Sequence, residues 1–353
     1  MLSSAVGQWW KAGLALVVMG AVAAIVYGLL RPARPVPTAT FTGQTMGTQY
    51  AITVVGQLAA ADPEALHRAA REQLEKVNAL MSTYRDDSEV SRLNAATHTD
   101  WMAVSRETAQ VMQLAIEVGQ VSGGGYDITV GPLVNLWGFG PDKRPIKAPT
   151  PEVIEQAKQR VGLGLLEVRL DPPAVRKKRP DVYVDLSSVA KGYGVDQAAE
   201  ALERAGVKDY CVEVGGEILA KGHNARGTPW QIGVESPLAE ERSIERVMPL
   251  SNMAIATSGD YRNYVEEDGI RFCHIIDPKT GYPIRHKLAS VSVLDPSCAR
   301  ADAWATALLV AGPEAGYELA MRAKLPVLLI IKTDEGFVEK WTPGFAPYLG
   351  RGE

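Results

Sequence analysis

The sequence predicts an α+β fold with a mixed sheet, preceded by an apolar N-terminal segment. Segments with the two-residue alternation of strands outnumber those with helical periodicity, and the two kinds do not alternate regularly along the chain, which argues against a doubly wound α/β fold. The chain has 353 residues, 46% of them hydrophobic and 22% charged. These values are typical of a globular protein with one large or two modest domains.

Charge and cysteine content exclude several classes of protein. The formal net charge is −4, close to neutral for this length, so the composition does not support nucleic-acid binding. Cys211, Cys273 and Cys298 form an odd set without CxxC spacing. They indicate neither a disulfide framework nor a zinc site.

Residues 12–30 are uncharged and almost wholly apolar. A bilayer is spanned by about 20 such residues, so a transmembrane anchor is predicted behind a short tail, residues 1–11. A cleavable signal peptide is the alternative, because residues 21–23 resemble a cleavage site. The apolar character continues to Leu30, which favours the uncleaved anchor. Residues 31–40 contain three prolines and are predicted as a linker to one folded domain, residues 41–353.

Helical spacing and cap residues predict three helices in the first half of this domain, at 63–81, 106–121 and 150–162. The polar segment 81–94 is expected at the surface, and 127–140 fits neither helix nor strand. Later helices are predicted at 190–205, 299–310 and 314–323. Strand patterns occupy 48–55, 167–170, 183–186, 210–214, 230–234, 246–250, 253–257, 272–276, 290–294 and a closing hairpin of 326–332 and 336–341.

The stretch 183–196, YVDLSSVAKGYGVD, predicts a strand, a polar turn and a helix. Free backbone N–H groups at a helix start attract anions, and Lys191 adds a positive charge there. Together with Asp185 at the strand end, this arrangement suits a charged, polyhydroxylated ligand such as a nucleotide. The alternative is a surface Asp–Lys pair beside an ordinary helix cap.

Asp302 and Thr306 are four residues apart in a predicted helix, so they share one face. A carboxylate and a hydroxyl are both oxygen ligands that suit Mg²⁺. The alternative is that Asp302 caps the helix and Thr306 lies in the core.

His274 is the best candidate for a general base among five histidines, because it adjoins a polar loop. Its apolar neighbours leave open that it is a core histidine. Asp277 lies three residues on, which on a strand is the opposite face, and it fits a turn signature. The glycine run at 123–125 allows a ligand to approach the backbone closely or simply ends a helix.

The common phosphate-binding and nucleophile motifs are missing from the sequence. No GxGxxG follows a strand, and neither GxxxxGK[ST] nor GxSxG occurs. The commonest dinucleotide-binding, NTPase and serine-hydrolase functions are therefore excluded.

Eight segments, in this order, resemble the ApbE family. They are TMGTQY (45–50), MSTYRDDSEVSRLN (81–94), YDITVGPLVNLWGFGP (126–141), VDLSSVAKGYGVD (184–196), EVGGEI (213–218), ATSGDYRNY (256–264), HIIDPKTG (274–281) and ADAWATALLV (301–310). The resemblance covers nearly everything from residue 45 to the end.

The resemblance implies an FAD:protein FMN transferase with a duplicated T-fold-like domain. Such an enzyme cleaves FAD with Mg²⁺, attaches FMN to a threonine or serine hydroxyl of a target flavoprotein and releases AMP. It also implies location at the bacterial inner membrane, with the catalytic domain on the periplasmic side. A membrane redox complex is the expected target.

The resemblance also implies the roles of individual residues. The FAD contacts fall on Met46, Tyr84, Gly125, Tyr126, Asp127, Asp185, Lys191 and Ile276. The metal ligands fall on Asp302, Thr306 and the backbone carbonyl of Ser188, and the proposed base is His274. Two departures are Ser187-Ser188, where a Gly/Ala pair is often seen, and Tyr126, where Phe or Met is common.

Two rival functions stay open. One is an FAD pyrophosphatase that gives free FMN and AMP, which Tyr84 disfavours because it resembles the residue found in transferases. The other is a membrane-tethered flavin-binding protein without turnover, which the presence of Asp302 and Thr306 disfavours.

Overall fold

The computed structural model of the protein describes residues 36–56, 62–141, 148–235, 244–259, 264–267 and 270–349. The predicted membrane segment, residues 12–30, lies outside these ranges. No helix among the described residues is both long enough and apolar enough to cross a membrane. The described residues from Pro37 onward belong to one compact unit.

The described helices are α1 (Pro63–Met81), α2 (Glu89–Ala95), α3 (Arg106–Val121), α4 (Gly131–Leu136), α5 (Pro151–Lys158), α6 (Ser187–Arg204), α7 (Cys298–Ala311) and α8 (Pro313–Arg322). The described strands are β1 (Thr38–Thr45), β2 (Thr48–Val55), β3 (Met102–Ala103), β4 (Leu166–Leu170), β5 (Pro173–Lys177), β6 (Asp209–Val214), β7 (Glu217–Lys221), β8 (Trp230–Glu235), β9 (Ile244–Leu250), β10 (Met253–Gly259), β11 (Tyr264–Glu267), β12 (Ile270–Cys273), β13 (Leu288–Asp295), β14 (Val327–Thr333) and β15 (Gly336–Trp341).

The predicted α+β class is confirmed. An eight-stranded sheet in the order β1-β2-β6-β7-β10-β13-β14-β15 forms the centre. Every neighbouring pair in it is antiparallel, so the central sheet is antiparallel rather than mixed. Small sheets of β3-β5-β4, β8-β9 and β11-β12 lie outside it.

The two faces of the central sheet are covered differently. Leu219 of β7 packs with α1 and α6, whereas its neighbour Ala220 packs with Trp230 and Met248 of the β8–β9 hairpin. Successive strand residues point to opposite faces, so the helices cover one face and the hairpin covers the other. The site described below is built where the helical layer meets one end of this sheet.

Local sequence explains the long helices. Asp62 caps α1 by accepting a hydrogen bond from the Glu64 N–H at 3.1 Å, and Ser105 caps α3 by accepting from the Thr108 N–H at 3.1 Å. The five apolar residues predicted on one face of α1 are all buried: Leu66, Ala70, Leu74, Val77 and Met81. Burial of this stripe anchors α1 on α6.

Five local predictions are wrong. Residues 127–140, predicted to fit neither helix nor strand, contain α4. Residues 183–186 form no strand: Val184 pairs with the Asn94 side chain, and the Asp185 N–H donates to the Ile128 carbonyl. The strand predicted at 272–276 ends at Cys273. The segment 81–94 contains α2, which buries Val90 and Leu93. Strand β1 begins at Thr38 inside the predicted linker, because a tight turn at 46–47 pairs it with β2.

Candidate active site

A cleft of about 1070 Å³ opens at one end of the central sheet. Its floor comes from the β1–β2 turn, the β6–β7 turn and the end of β10, and its walls come from α1, α6, α7 and two loops. All twelve residues predicted for the site line this one cleft: Met46, Tyr84, Gly125, Tyr126, Asp127, Asp185, Ser188, Lys191, His274, Ile276, Asp302 and Thr306. The structure therefore brings the whole predicted set together, while the role of each residue stays a prediction.

The centre of the cleft is a cluster of three charged side chains. Lys191 Nζ lies 3.2 Å from Glu217 Oε1 and 3.6 Å from Asp302 Oδ1. Glu217 and Asp302 are 3% and 2% exposed, and burial raises the pKa of both carboxyl groups against the opposing effect of Lys191. Burial lowers the pKa of Lys191, but the two carboxylates outweigh it, so that this pKa lies above its ordinary value.

Glu217 is the functional residue that the sequence analysis missed. Its Oε2 is buried without a hydrogen-bond partner among the described residues, and leaving a buried carboxylate oxygen unpaired is costly. The residue lies in the EVGGEI segment, where only the two glycines were singled out. A charged residue directly after a glycine turn, at the start of an apolar strand, is the signal that could have found it.

The donor set of the cleft fits a hard divalent cation. Asp302 and Thr306 lie on one face of α7, as their spacing predicts, and Thr306 Oγ1 is 3.1 Å from Ser258 Oγ. Two buried carboxylates face one lysine, so the cluster carries excess negative charge when both are ionised, and Glu217 keeps one oxygen free. Carboxylate and hydroxyl oxygens are the ligands that Mg²⁺ prefers. The candidate ligands therefore combine carboxylate with hydroxyl and carbonyl oxygens, since no group of three or more His, Cys, Asp or Glu among the described residues could hold a metal.

Asp196 of α6 sets the position of α7. Its carboxylate accepts hydrogen bonds from Ser297 Oγ at 2.8 Å, from the Cys298 N–H at 2.8 Å and from the Ala299 N–H at 3.0 Å. Burial raises the pKa of Asp196 to about 6 despite these three bonds. The helix that carries Lys191 therefore caps the helix that carries Asp302.

The same two helices touch through their backbones at Gly192. A Cβ atom at this position would lie 2.4 Å from the carbonyl oxygen of Cys298, so only glycine allows the contact. The Gly192 N–H donates to Asp302 Oδ2 at 3.0 Å. This bond orients the carboxylate towards Lys191.

Asn94 holds the extended segment that carries Asp185. Its side chain donates to the Val184 carbonyl at 2.8 Å and accepts from the Val184 N–H at 2.7 Å. The Asp185 N–H donates to the Ile128 carbonyl at 2.8 Å, and Asp185 Oδ1 accepts from the Ser187 N–H at 2.9 Å. An amide side chain thus supplies the pairing that a neighbouring strand would give.

Aromatic residues form the rim of the cleft. Tyr84 is 69% exposed, and its hydroxyl donates to the Phe139 carbonyl at 3.4 Å. The edge of the Phe139 ring meets His274, with 6.5 Å between ring centroids. His274 lies at a bend directly after β12, not on a strand as predicted. A planar ligand entering the cleft would meet this rim.

Two further predicted residues, Tyr126 and Asp127, are buried in the cleft wall. Asp127 Oδ1 accepts from the Thr129 N–H at 2.7 Å and from Thr129 Oγ1 at 2.6 Å, and burial raises the pKa of this carboxyl. Ser188 Oγ donates to the Tyr126 hydroxyl at 2.9 Å. Ser188, one residue of the Ser187-Ser188 pair that departs from the family pattern, therefore binds Tyr126, the other departure.

A model of the ApbE family matches residues 46–329. The chain belongs to the ApbE family. It is 46% identical over 318 residues to the FAD:protein FMN transferase of Vibrio cholerae, with 90% of this chain and 95% of that protein covered. The FAD:protein FMN transferase of Haemophilus influenzae is 48% identical, with 87% and 90% covered.

Solved structures of the ApbE family share the fold. The flavin transferase ApbE from Vibrio cholerae superimposes with a TM-score of 0.83 at 45% identity, covering 89% of this chain and 100% of that one. The apo form of the Pseudomonas stutzeri flavinyl transferase ApbE gives a TM-score of 0.82 at 36% identity, covering 90% and 99%.

Proposed function

We propose that this chain is an FAD:protein FMN transferase, which joins FMN to a threonine or serine hydroxyl of a target protein and releases AMP. The observation that carries the proposal is the Lys191–Glu217–Asp302 cluster at the centre of a single large cleft. Ligand sites typically measure about 300–1,000 Å³, so a cleft of about 1070 Å³, just above that range, suits a dinucleotide. The relatives that carry this name cover nearly the whole folded domain.

In this reaction the bond between the two phosphates of FAD breaks and a bond from the acceptor oxygen to the FMN phosphorus forms. Catalysis of phosphoryl transfer is mostly positioning and charge neutralisation. Lys191 places its ammonium group beside the phosphates, and Asp185 and Tyr84 orient the nucleotide. AMP leaves with the electron pair of the broken bond.

Asp302, Thr306 and the Ser188 carbonyl would hold Mg²⁺ in this proposal, and the ion would supply charge neutralisation for the two phosphates. His274 takes the proton of the acceptor hydroxyl as the new bond forms. Its place near the aromatic rim supports this role, since the acceptor must come from outside the protein.

The test is to incubate the full chain with FAD, Mg²⁺ and candidate acceptor proteins and to follow acceptor mass and AMP together. A mass gain equal to FMN, matched by AMP, is expected. AMP with free FMN and an unchanged acceptor would support the pyrophosphatase instead, and FAD binding without AMP would support the binding protein. Asp302→Ala should abolish transfer, and a wild-type rate in that variant would refute the metal assignment.

Location is a separate proposal. Residues 12–30 anchor the enzyme in a bacterial inner membrane, with the catalytic domain on the periplasmic side, and the acceptor belongs to a membrane redox complex. The uncharged, apolar sequence of the segment supports the anchor. In-gel flavin fluorescence of separated membrane and soluble fractions should show the modified acceptor in the membrane. Modified proteins found only in the cytoplasmic fraction would refute this proposal.

A further inference from the structure

Strand β1 is an edge of the central sheet. Among the described strands it pairs with β2 alone. Bonded and non-bonded pairs alternate along an antiparallel ladder, and the Gly56 N–H donates to the Pro37 carbonyl at 3.0 Å. Odd-numbered residues of β1 therefore bond to β2. The N–H and C=O groups of the even-numbered residues point away from the sheet: Thr38, Thr40, Thr42 and Gln44.

This edge lacks the features that usually prevent strand addition. Its sequence, TATFTGQT, contains neither a charge nor a proline, and exposed edges of this kind are templates for another strand. The opposite edge, β15, carries Glu339 and Lys340. Glu339 pairs with Arg246 at 2.6 Å, and Lys340 lies over the ring of Tyr317.

The open edge leads into the active-site cleft. Strand β1 ends at Thr45, and the turn residues that follow it, Met46 and Gly47, line the cleft. A second cavity of about 440 Å³ lies at this turn, lined by residues 44–49, and it shares Met46 and Gly47 with the cleft. A strand added along β1 would therefore place its next residues at the cleft.

Resting on the proposed function, we propose that β1 binds an extended segment of the acceptor protein as an additional strand and thereby delivers the acceptor threonine or serine to the cleft. The reaction requires a polypeptide whose hydroxyl side chain enters the cleft. Main-chain hydrogen bonds to a sheet edge give affinity with little dependence on side chains. Thr42 and Gln44, the outward-facing residues next to the turn, each supply one N–H and one C=O for this pairing.

Thr42→Pro tests the proposal in the full-length enzyme, with an acceptor that the wild type modifies. Proline removes an N–H that β2 does not use, and proline is tolerated on edge strands. We expect the KM for the acceptor to rise about tenfold, as for one or two lost hydrogen bonds, at unchanged kcat and FAD dissociation constant. The matched control is Trp341→Pro on the opposite edge, β15. The Thr342 N–H donates inward to the Val327 carbonyl, so the N–H of its neighbour Trp341 faces outward and is not used by β14. This control should keep the wild-type KM.

A wild-type KM in Thr42→Pro, an equal rise in Trp341→Pro, or weakened FAD binding in Thr42→Pro would each overturn the proposal. A change of oligomeric state specific to Thr42→Pro would assign the edge to a second copy of the chain. If the wild-type enzyme leaves the mass of the acceptor unchanged, the proposed function is refuted instead.

A second measurement needs no enzyme variant. Acceptor peptides are N-methylated on alternate residues, so that one set loses the amides that face β1 and the other set loses only outward-facing amides. Transfer to the set that loses the amides facing β1 should fall about tenfold. Transfer to the set that loses only outward-facing amides should stay at the rate of the unmethylated peptide. Equal behaviour of the two sets would overturn the proposal.

Discussion

Asp196→Asn should destabilise the protein much more at pH 4 than at pH 7. Burial raises the pKa of this carboxyl from 3.8 to about 6. A carboxyl with a raised pKa in the folded state stabilises that state fully below its unfolded pKa, and this stability is lost as pH rises through the folded pKa. The shift of about 2.2 units, at about 1.4 kcal/mol per unit, amounts to about 3 kcal/mol. Asparagine does not titrate, so it removes this dependence.

The assay is denaturant unfolding of both proteins at several pH values between 4 and 7. The difference in unfolding free energy, wild type minus variant, should shrink by about 2.4 kcal/mol over this range, because the unfolded carboxyl is already more than half ionised at pH 4. Titrating groups that do not interact with Asp196 cancel in this difference. A difference that grows with pH would refute the reasoning. It would mean that hydrogen bonds from Ser297, Cys298 and Ala299 stabilise the ionised carboxylate by more than burial disfavours it.

Three further variants test the cleft. Burial raises the pKa of Glu217 to about 8. Above that pH, Glu217→Gln should raise the Mg²⁺ concentration for half-maximal AMP release about tenfold by removing one negative charge beside Lys191, and an unchanged Mg²⁺ requirement would contradict this. Asn94→Ala removes both hydrogen bonds to Val184, the residue before Asp185. It should weaken FAD binding about tenfold, as measured by flavin fluorescence. Wild-type affinity would show that the position of Asp185 does not depend on Asn94. Gly192→Ala should lower the unfolding free energy by about 1–3 kcal/mol, because its Cβ would meet backbone at 2.4 Å. Gly194→Ala meets side-chain atoms rather than backbone, those of Met46 at 2.8 Å and of Leu74 at 3.3 Å. Equal losses in thermal melts would argue against the backbone contact.

The sequence predicted best the elements whose signals are local. The apolar stripe of α1 and its proline at the first turn define that helix completely. The spacing of Asp302 and Thr306 likewise placed both on one face of α7, and both line the cleft. These features depend on residues within one or two turns of each other.

The missed features depend on partners that are distant in sequence. Residues 183–186 alternate like a strand, but their partner is Asn94, about 90 positions away. Strand β1 follows a proline-rich stretch, and only its pairing with β2 reveals it. Glu217 has no local signal of its role, because only the fold places it against Lys191. The family resemblance assembled the remaining site residues, since neither spacing nor periodicity could.

The contact at Gly192 divides the cleft into a stiff wall and an adaptable one. On the stiff wall, two helix backbones touch without any intervening side chain, so Lys191 and Asp302 keep a fixed separation. The adaptable part is the rim, where the Tyr84 side chain is 69% exposed. We expect acceptors of different shape to be accommodated at this rim, while the separation of Lys191 and Asp302 stays the same.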